Sequence, residues 1–151
     1  MLNLSFREAQ PADKAWAFDI KSEAEYPYVQ AVFGWEPKVQ QTLHEQEWQR
    51  TTPTVIEADG ERIGFFSLET EGERCYLRRF FLDARYRQRG VGGWVLQQIR
   101  NAESIRQSGL WVVVFSANPA VMFYERLGFQ RVDGDERFVT LYWSAPDPQY
   151  D

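Results

Sequence analysis

FFLDARYRQRGVGGWVLQQIR, residues 80–100, is the stretch on which the fold turns. Its apolar start closes a strand that the alternation places from about Arg74 to Leu82. A short polar loop follows, and RQRGVGG (87–93) opens directly into a new period, with Val91, Trp94, Val95, Ile99 and Ala102 on one helical face. A strand, a glycine-rich turn and a helix in that order make an anion site. The first helical turn has N–H groups without intrahelical partners, and they lie at the positive end of the helix dipole. Gly90 and Gly92 remove side chains that would keep a phosphate from the backbone, while Arg87 and Arg89 supply charge. The plainer alternative is a tight connection closed by two glycines, with both arginines solvated. No Lys-Ser/Thr follows the glycines, as a triphosphate P-loop requires. The third small position of a dinucleotide fingerprint is occupied by Val95.

Upstream of this stretch, Leu2, Leu4 and Phe6 alternate with polar residues as a half-buried strand does. After Pro11 a helix is expected over 12–24. YPYVQAVFGWEP (26–37), with two prolines and Gly34, reads as a loop or a broken helix. A second helix is expected from Pro37 to Arg50. Thr54–Ala58, the Asp59-Gly60 turn and Arg62–Leu68 form a hairpin, and a turn at Glu71-Gly72 leads into the strand that ends at Leu82. Downstream, LWVVVF (110–115) is a continuous apolar strand, the pattern of one covered on both faces. Asn118-Pro119 opens a helix with the stripe Ala120, Phe123, Tyr124 and Leu127, and Gly128 ends it. Phe129–Val132, a turn at Asp133-Gly134 and Arg137–Trp143 form the last hairpin, whose edge offers a place for a homodimer.

The 151 residues fall in the size range of one domain, here 1–144 with a loose tail over 145–151. Eleven Phe, seven Tyr and six Trp supply ample apolar area for a core. A net charge of −5 argues against nucleic acid as a partner and suits cationic substrates. A single cysteine, Cys75, excludes an internal disulfide, and with one histidine, His44, no metal site is expected. No apolar run is long enough to span a membrane and no leader pattern opens the chain, so a cytoplasmic location is expected.

The loop does not stand alone. Arg87, Gly90 and Gly92 meet the pattern Q/R-x-x-G-x-G/A, and SANPAVMFYERLGF (116–129) supplies an asparagine, a tyrosine and a Gly-Phe pair at the expected distance. In these segments, and in its order of elements, the chain resembles the GNAT superfamily of acetyl-CoA-dependent N-acetyltransferases. The resemblance implies an α+β fold on a mixed sheet. An antiparallel meander of about four strands splays from a C-terminal strand pair, with about four helices on both faces. It implies acetyl-CoA as co-substrate, its pyrophosphate held by the backbone of Gln88, Arg89, Gly90, Val91, Gly92 and Gly93 beside Arg87, and its pantetheine paired along Phe80, Phe81 and Leu82. A β-bulge near Leu82 is part of that pattern. The Leu82 N–H then polarises the thioester carbonyl, and Tyr124 protonates the departing thiolate. Asn118 contacts the pantetheine arm, although an Asn before Pro is also an ordinary helix cap. Tyr124 likewise has a plain alternative as a packing residue on its stripe.

The chain departs from its relatives where several of them carry a glutamate: Val113 and Tyr76 stand at those positions. Glu36, Glu25 or a chain of waters is left to accept the proton of the amine. Tyr28, Trp35 and Glu36 lie where relatives build acceptor specificity, for a small-molecule or peptide amine. Two other readings keep the anion loop: a CoA-binding sensor or partner module without turnover, and a nucleotide-binding regulatory domain.

Overall fold

The computed structural model describes residues 2–146. The elements in chain order are β1 (Leu4–Glu8), α1 (Lys14–Phe33), α2 (Pro37–Arg50), β2 (Thr54–Ala58), β3 (Glu61–Glu71) and β4 (Arg74–Leu82), followed by α3 (Val91–Arg100), α4 (Glu103–Ser108), β5 (Leu110–Phe115), α5 (Ala120–Arg126), β6 (Gln130–Gly134) and β7 (Phe138–Trp143). One mostly antiparallel seven-stranded sheet has the order β1-β2-β3-β4-β5-β7-β6, the mixed α+β architecture expected. The last hairpin, β6 and β7, joins the sheet beside β5, and five α-helices are present among the described residues. No helix among the described residues is long and apolar enough to cross a membrane.

The chain divides into two compact units, and β3 and β4 each contribute to both. The first takes the residues up to Leu68 together with Arg78–Arg87. In it β1 pairs antiparallel with β2 from Leu4↔Ala58 to Glu8↔Thr54, and β2 turns into β3 at Asp59-Gly60, both at positive φ. The α1 residues Ala17 and Ile20 are buried against Phe65 of β3, with Trp16, Trp48 and Phe81 around them. Asp13, at the start of α1, is buried and binds two guanidinium groups, Arg7 Nη1 at 2.8 Å and Arg62 Nη1 at 3.0 Å, and accepts the Gln10 N–H. These donors hold its carboxyl well below the ordinary carboxylate range.

Helix α1 corrects the expectation of a helix over 12–24 followed by a loop. It begins at Lys14 and runs through Pro27 to Phe33. Pro27 is exposed, so the Glu23 carbonyl it leaves without an N–H partner faces water, and buried Val29 anchors the turn beyond. Gly34, which reads as a loop signal, is the helix cap: at φ 79° its N–H reaches the Gln30 carbonyl at 3.1 Å.

The second unit takes Glu69–Leu77 and the residues from Gln88 onward. Here β4 meets β5 in parallel at one register position, Tyr76↔Trp111, and β5 pairs with β7 along its whole length. Val91, Val95, Leu96 and Ile99 of α3, Leu110 and Val112 of β5 and Leu141 of β7 are buried. Ala102, expected on the α3 stripe, falls outside that helix and precedes α4, which the sequence reading did not contain. The β5 strand is not covered on both faces, since Val113 is 40% exposed. The turn after β3 is at Gly72-Glu73, one residue later than expected, and the last hairpin turns at residues 135–137 instead of Asp133-Gly134. The reason lies in Asp135, whose Oδ1 accepts the Arg137 and Phe138 N–H groups at 2.8 and 2.9 Å and closes the turn there. Of the tail expected over 145–151, residues 147–151 lie outside the described residues.

Candidate active site

The glycine-rich loop enters α3 through two left-handed residues, Gln88 at φ 61° and Gly90 at φ 81°. Gly90 is the helix N-cap, and the first helical bond runs from Trp94 N–H to the Gly90 carbonyl at 3.1 Å. The N–H groups of Val91, Gly92 and Gly93 therefore come before that bond, directed out of the helix start. A Cβ on Gly90 or Gly93 would meet nothing within 4 Å, so the space in front of this turn is open. Gln88, Arg89 and Gly90 are exposed and Val91 is buried, which anchors the loop to the core of its unit. Backbone donors, a dipole and open space are what an anionic pyrophosphate needs. Gly92 has a second reason to be glycine, because a Cβ there would lie 3.0 Å from Cζ of Phe123 in α5.

Asn118 and Tyr124 belong to the same unit. Asn118 Oδ1 accepts the Ala120 N–H at 2.9 Å, and its carbonyl accepts the Val121 N–H at 3.1 Å, so it caps α5. Tyr124 is 5% exposed, and its ring stands edge-on to Phe123 and Phe129 at 5.3 and 5.2 Å. Burial pushes its phenol well above the ordinary tyrosine value, which keeps the hydroxyl protonated at neutral pH. Such a phenol protonates a thiolate that is itself desolvated, since burial raises the thiol in the same direction. The stripe read as Ala120, Phe123, Tyr124 and Leu127 is shifted: Val121 and Tyr124 are the buried positions.

In the first unit, Phe80, Phe81 and Leu82 end β4, all partly buried, with Phe81 against Phe65 at 5.6 Å. A Cβ on Gly64 of β3 would lie 2.3 Å from the Phe81 carbonyl oxygen, so the two strands approach closely only because Gly64 has none. Successive N–H groups of an extended strand point to opposite edges. The Asp83 N–H is bound to the Ile63 carbonyl of β3 at 2.7 Å, which turns the Leu82 N–H toward the other edge. Arg87 folds back onto β4, its Nε donating to the Leu82 carbonyl at 3.2 Å and its Nη2 lying 3.8 Å from Glu23. The β4 residue at positive φ is Arg79, at 53°, three positions before Leu82.

Of the three acceptor-side residues, Trp35 lies against Tyr26 with ring centroids 5.1 Å apart and planes inclined at 55°, Glu36 is exposed at the start of α2, where its carbonyl accepts the Gln40 N–H, and Tyr28 is partly buried on α1. A charged group that sequence reading missed lies beside them in chain position. Glu47 Oε1 accepts from Lys21 Nζ at 2.6 Å and lies 3.1 Å from Arg79 Nε. Lys21 is buried although it occupies the stripe of Ala17 and Ile20, and a lysine on an apolar stripe is the signal that marks it in the sequence. His44 is buried between Phe18 and Trp48, its Nε2–H donating to the Lys14 carbonyl at 2.9 Å, and burial holds its pKa down. Among the described residues no group of three or more His, Cys, Asp or Glu is arranged to hold a metal.

A family model for an acetyltransferase (GNAT) domain matches residues 49–131. A spermine/spermidine N(1)-acetyltransferase of Bacillus subtilis (strain 168) is 28% identical over 89 residues, 52% of this chain and 59% of that protein. The chain thus spans about three fifths of that relative's length. Among solved structures, the PaiA N-acetyltransferase from Thermoplasma acidophilum in complex with coenzyme A superposes with a TM-score of 0.72 at 15% identity, covering 93% of this chain and 98% of that one. An acetyltransferase from Thermus thermophilus gives 0.71 at 21% identity, with 94% and 97% covered. At these identities the likeness is one of fold.

Proposed function

The chain belongs to the GNAT acetyltransferase family, and from that premise we propose that it moves an acetyl group from acetyl-CoA to a primary amine by direct attack in a ternary complex. The observation that carries this reading is the start of α3, where a left-handed Gly90, three N–H groups and open space at Gly90 and Gly93 form a seat for the pyrophosphate. The edge of β4 carrying the Leu82 N–H pairs with the pantetheine as an added strand would. Leu82 N–H then donates to the thioester oxygen as negative charge develops on it, and Tyr124 gives its proton to the leaving thiolate. Asn118 caps α5, and its amide also serves the pantetheine arm. The acceptor we assign is a small cationic amine. A net charge of −5 suits it, and the Bacillus subtilis relative is named for spermine and spermidine.

Thermal unfolding with acetyl-CoA, CoA, ATP and NAD tests the cofactor. Acetyl-CoA and CoA raise the melting point, and stabilisation by ATP or NAD alone overturns the reading. Release of CoA thiol across a panel of spermidine, lysine and an alanyl peptide tests turnover. Stabilisation by acetyl-CoA without thiol release on any amine favours instead the CoA-binding module, a reading that Val113 and Tyr76 support by standing where several relatives carry glutamate.

A further inference from the structure

Amine attack on a thioester requires a neutral nitrogen, and an alkylammonium with a pKa near ~10.4 holds its proton at neutral pH. Some group must take that proton. His44 has its Nε2–H committed to the Lys14 carbonyl, and Glu36 is exposed at the start of α2.

We propose that Glu25 of α1 is the proton acceptor, an inference that rests on the acetyl-transfer reading. The inner stripe of α1 is apolar at Ala17 and Ile20, which face Phe65, and turns charged one helical turn later at Lys21 and then Glu25. The change coincides with the left-handed kink of β4 at Arg79, where the strand presents a guanidinium in place of an apolar side chain. Glu47 Oε1 serves both cations, Lys21 at 2.6 Å and Arg79 at 3.1 Å. Glu25 follows Lys21 by four residues on α1, one turn along the same face, and lies within range of the charges of Lys21, Glu47 on α2 and Arg79 on β4. Its carboxylate brings a second negative charge to the neighbourhood of the two cations. Burial raises the Glu25 pKa above the ordinary glutamate value, toward the range in which a carboxylate is an effective base. Among the described residues its carboxylate accepts no hydrogen bond, whereas the Glu47 carboxylate is occupied. Arg79 lies three residues before Leu82 on β4, so the cluster sits on the strand that carries the Leu82 N–H.

The proton balance is simple. Glu25 takes one proton from the ammonium, and the freed lone pair forms the N–C bond to the acetyl carbonyl. The C–S bond then breaks with its electron pair on sulfur, and the thiolate receives a proton from Tyr124, which regains one from the nitrogen that has become an amide. Glu25 returns its proton to water before the next turnover.

Steady-state rates of the full chain with acetyl-CoA and the most active amine of the panel, measured from pH 6 to pH 10, decide the matter. Glu25→Gln is expected to lower kcat about 100-fold or more near neutrality. The deficit narrows as pH rises and free amine accumulates, while stabilisation by acetyl-CoA stays unchanged. Glu25→Asp, which keeps the carboxylate on a shorter stem, recovers part of the rate with the wild-type shape of the pH profile. A fully active Glu25→Gln with an unaltered pH profile overturns the proposal and leaves acetyl transfer standing. A Glu25→Asp no more active than Glu25→Gln also overturns it. Wild-type protein that releases no thiol overturns the acetyl-transfer reading and the assignment of Glu25 with it.

Discussion

Gly92 and Phe123 meet so closely that a Cβ on the glycine would lie 3.0 Å from Cζ and 3.3 Å from Cε1 of the ring. The second glycine of the anion loop is thus also a packing residue, placing α3 against the helix that carries Tyr124. Gly92→Val is expected to destabilise the fold by about 1–3 kcal/mol through overpacking. Phe123→Leu, which removes the far edge of the ring, recovers most of the loss in the double variant. Chemical denaturation of the four proteins measures the coupling.

Gly93 differs from its neighbour, because a Cβ there meets nothing. Gly93→Ala should stabilise the helix by roughly 0.5–1 kcal/mol, the ordinary gain of alanine over glycine in a helix. The same methyl group stands in the open space assigned to the pyrophosphate. A higher melting point together with weaker acetyl-CoA binding by calorimetry is the expected pair of results.

Tyr124→Phe removes one hydroxyl and leaves the ring in its cage of Phe123 and Phe129. Stability should change by less than about 1 kcal/mol, since the retained ring supplies nearly all of the packing. The value of kcat should fall at least ~10-fold with KM for acetyl-CoA unchanged, as expected when a proton donor is lost. Because burial pushes the phenol upward, the wild-type profile should show no loss of rate from Tyr124 ionisation in the range where a free phenol titrates, near ~10.

Asp13 should govern acid stability. Its folded pKa is depressed, so its contribution is fully present above the unfolded value of about 3.9 and is lost as pH falls through the folded value. Asp13→Asn is expected to cost roughly 2–4 kcal/mol at pH 7, because it leaves Arg7 and Arg62 without their shared anion. The deficit should shrink on acidification below the ordinary carboxylate range, measured by urea unfolding at a series of pH values.

Gly64→Ala tests the close approach of β3 to the end of β4. A methyl group 2.3 Å from the Phe81 carbonyl oxygen must move backbone, which costs about 2–4 kcal/mol. Since the displaced strand carries Leu82, acetyl-CoA binding should weaken along with stability, as a thermal shift titration will report.

Where a local signal has no rival, the sequence could be read residue by residue. Pro37 and Arg50 bound α2 as expected, the Asp59-Gly60 turn sets the β2–β3 hairpin, and β4 and β5 keep their expected limits. The reading failed where tertiary context outweighs a local cue. Pro27 reads as a helix breaker, yet it is harmless on the wet side of α1, and Gly34 closes the helix the proline was expected to end. ESIRQS, the short α4, has one buried residue, Ile105, too few to show a period. Asp133-Gly134 is the stronger turn signal by composition, but the Asp135 carboxylate binds two N–H groups and takes the turn two residues on. The same distinction runs through the candidate site. The α3 loop is contiguous and legible, whereas Lys21, Glu47 and Arg79 are brought together from three elements that no spacing rule connects.

Arg100, the last residue of α3, donates to the carbonyl of Leu127 just past α5 and lies over the rings of Trp143 and Phe129 at 5.0 and 6.0 Å. At the opposite end of the same helix, Gly92 abuts Phe123. Two rivets about eight residues apart hold α3 to α5, a separation of roughly 12 Å at 1.5 Å rise per residue. A plate fastened at one point can swivel, but at two it cannot. The start of α3 and the helix that bears Tyr124 are therefore held as one piece.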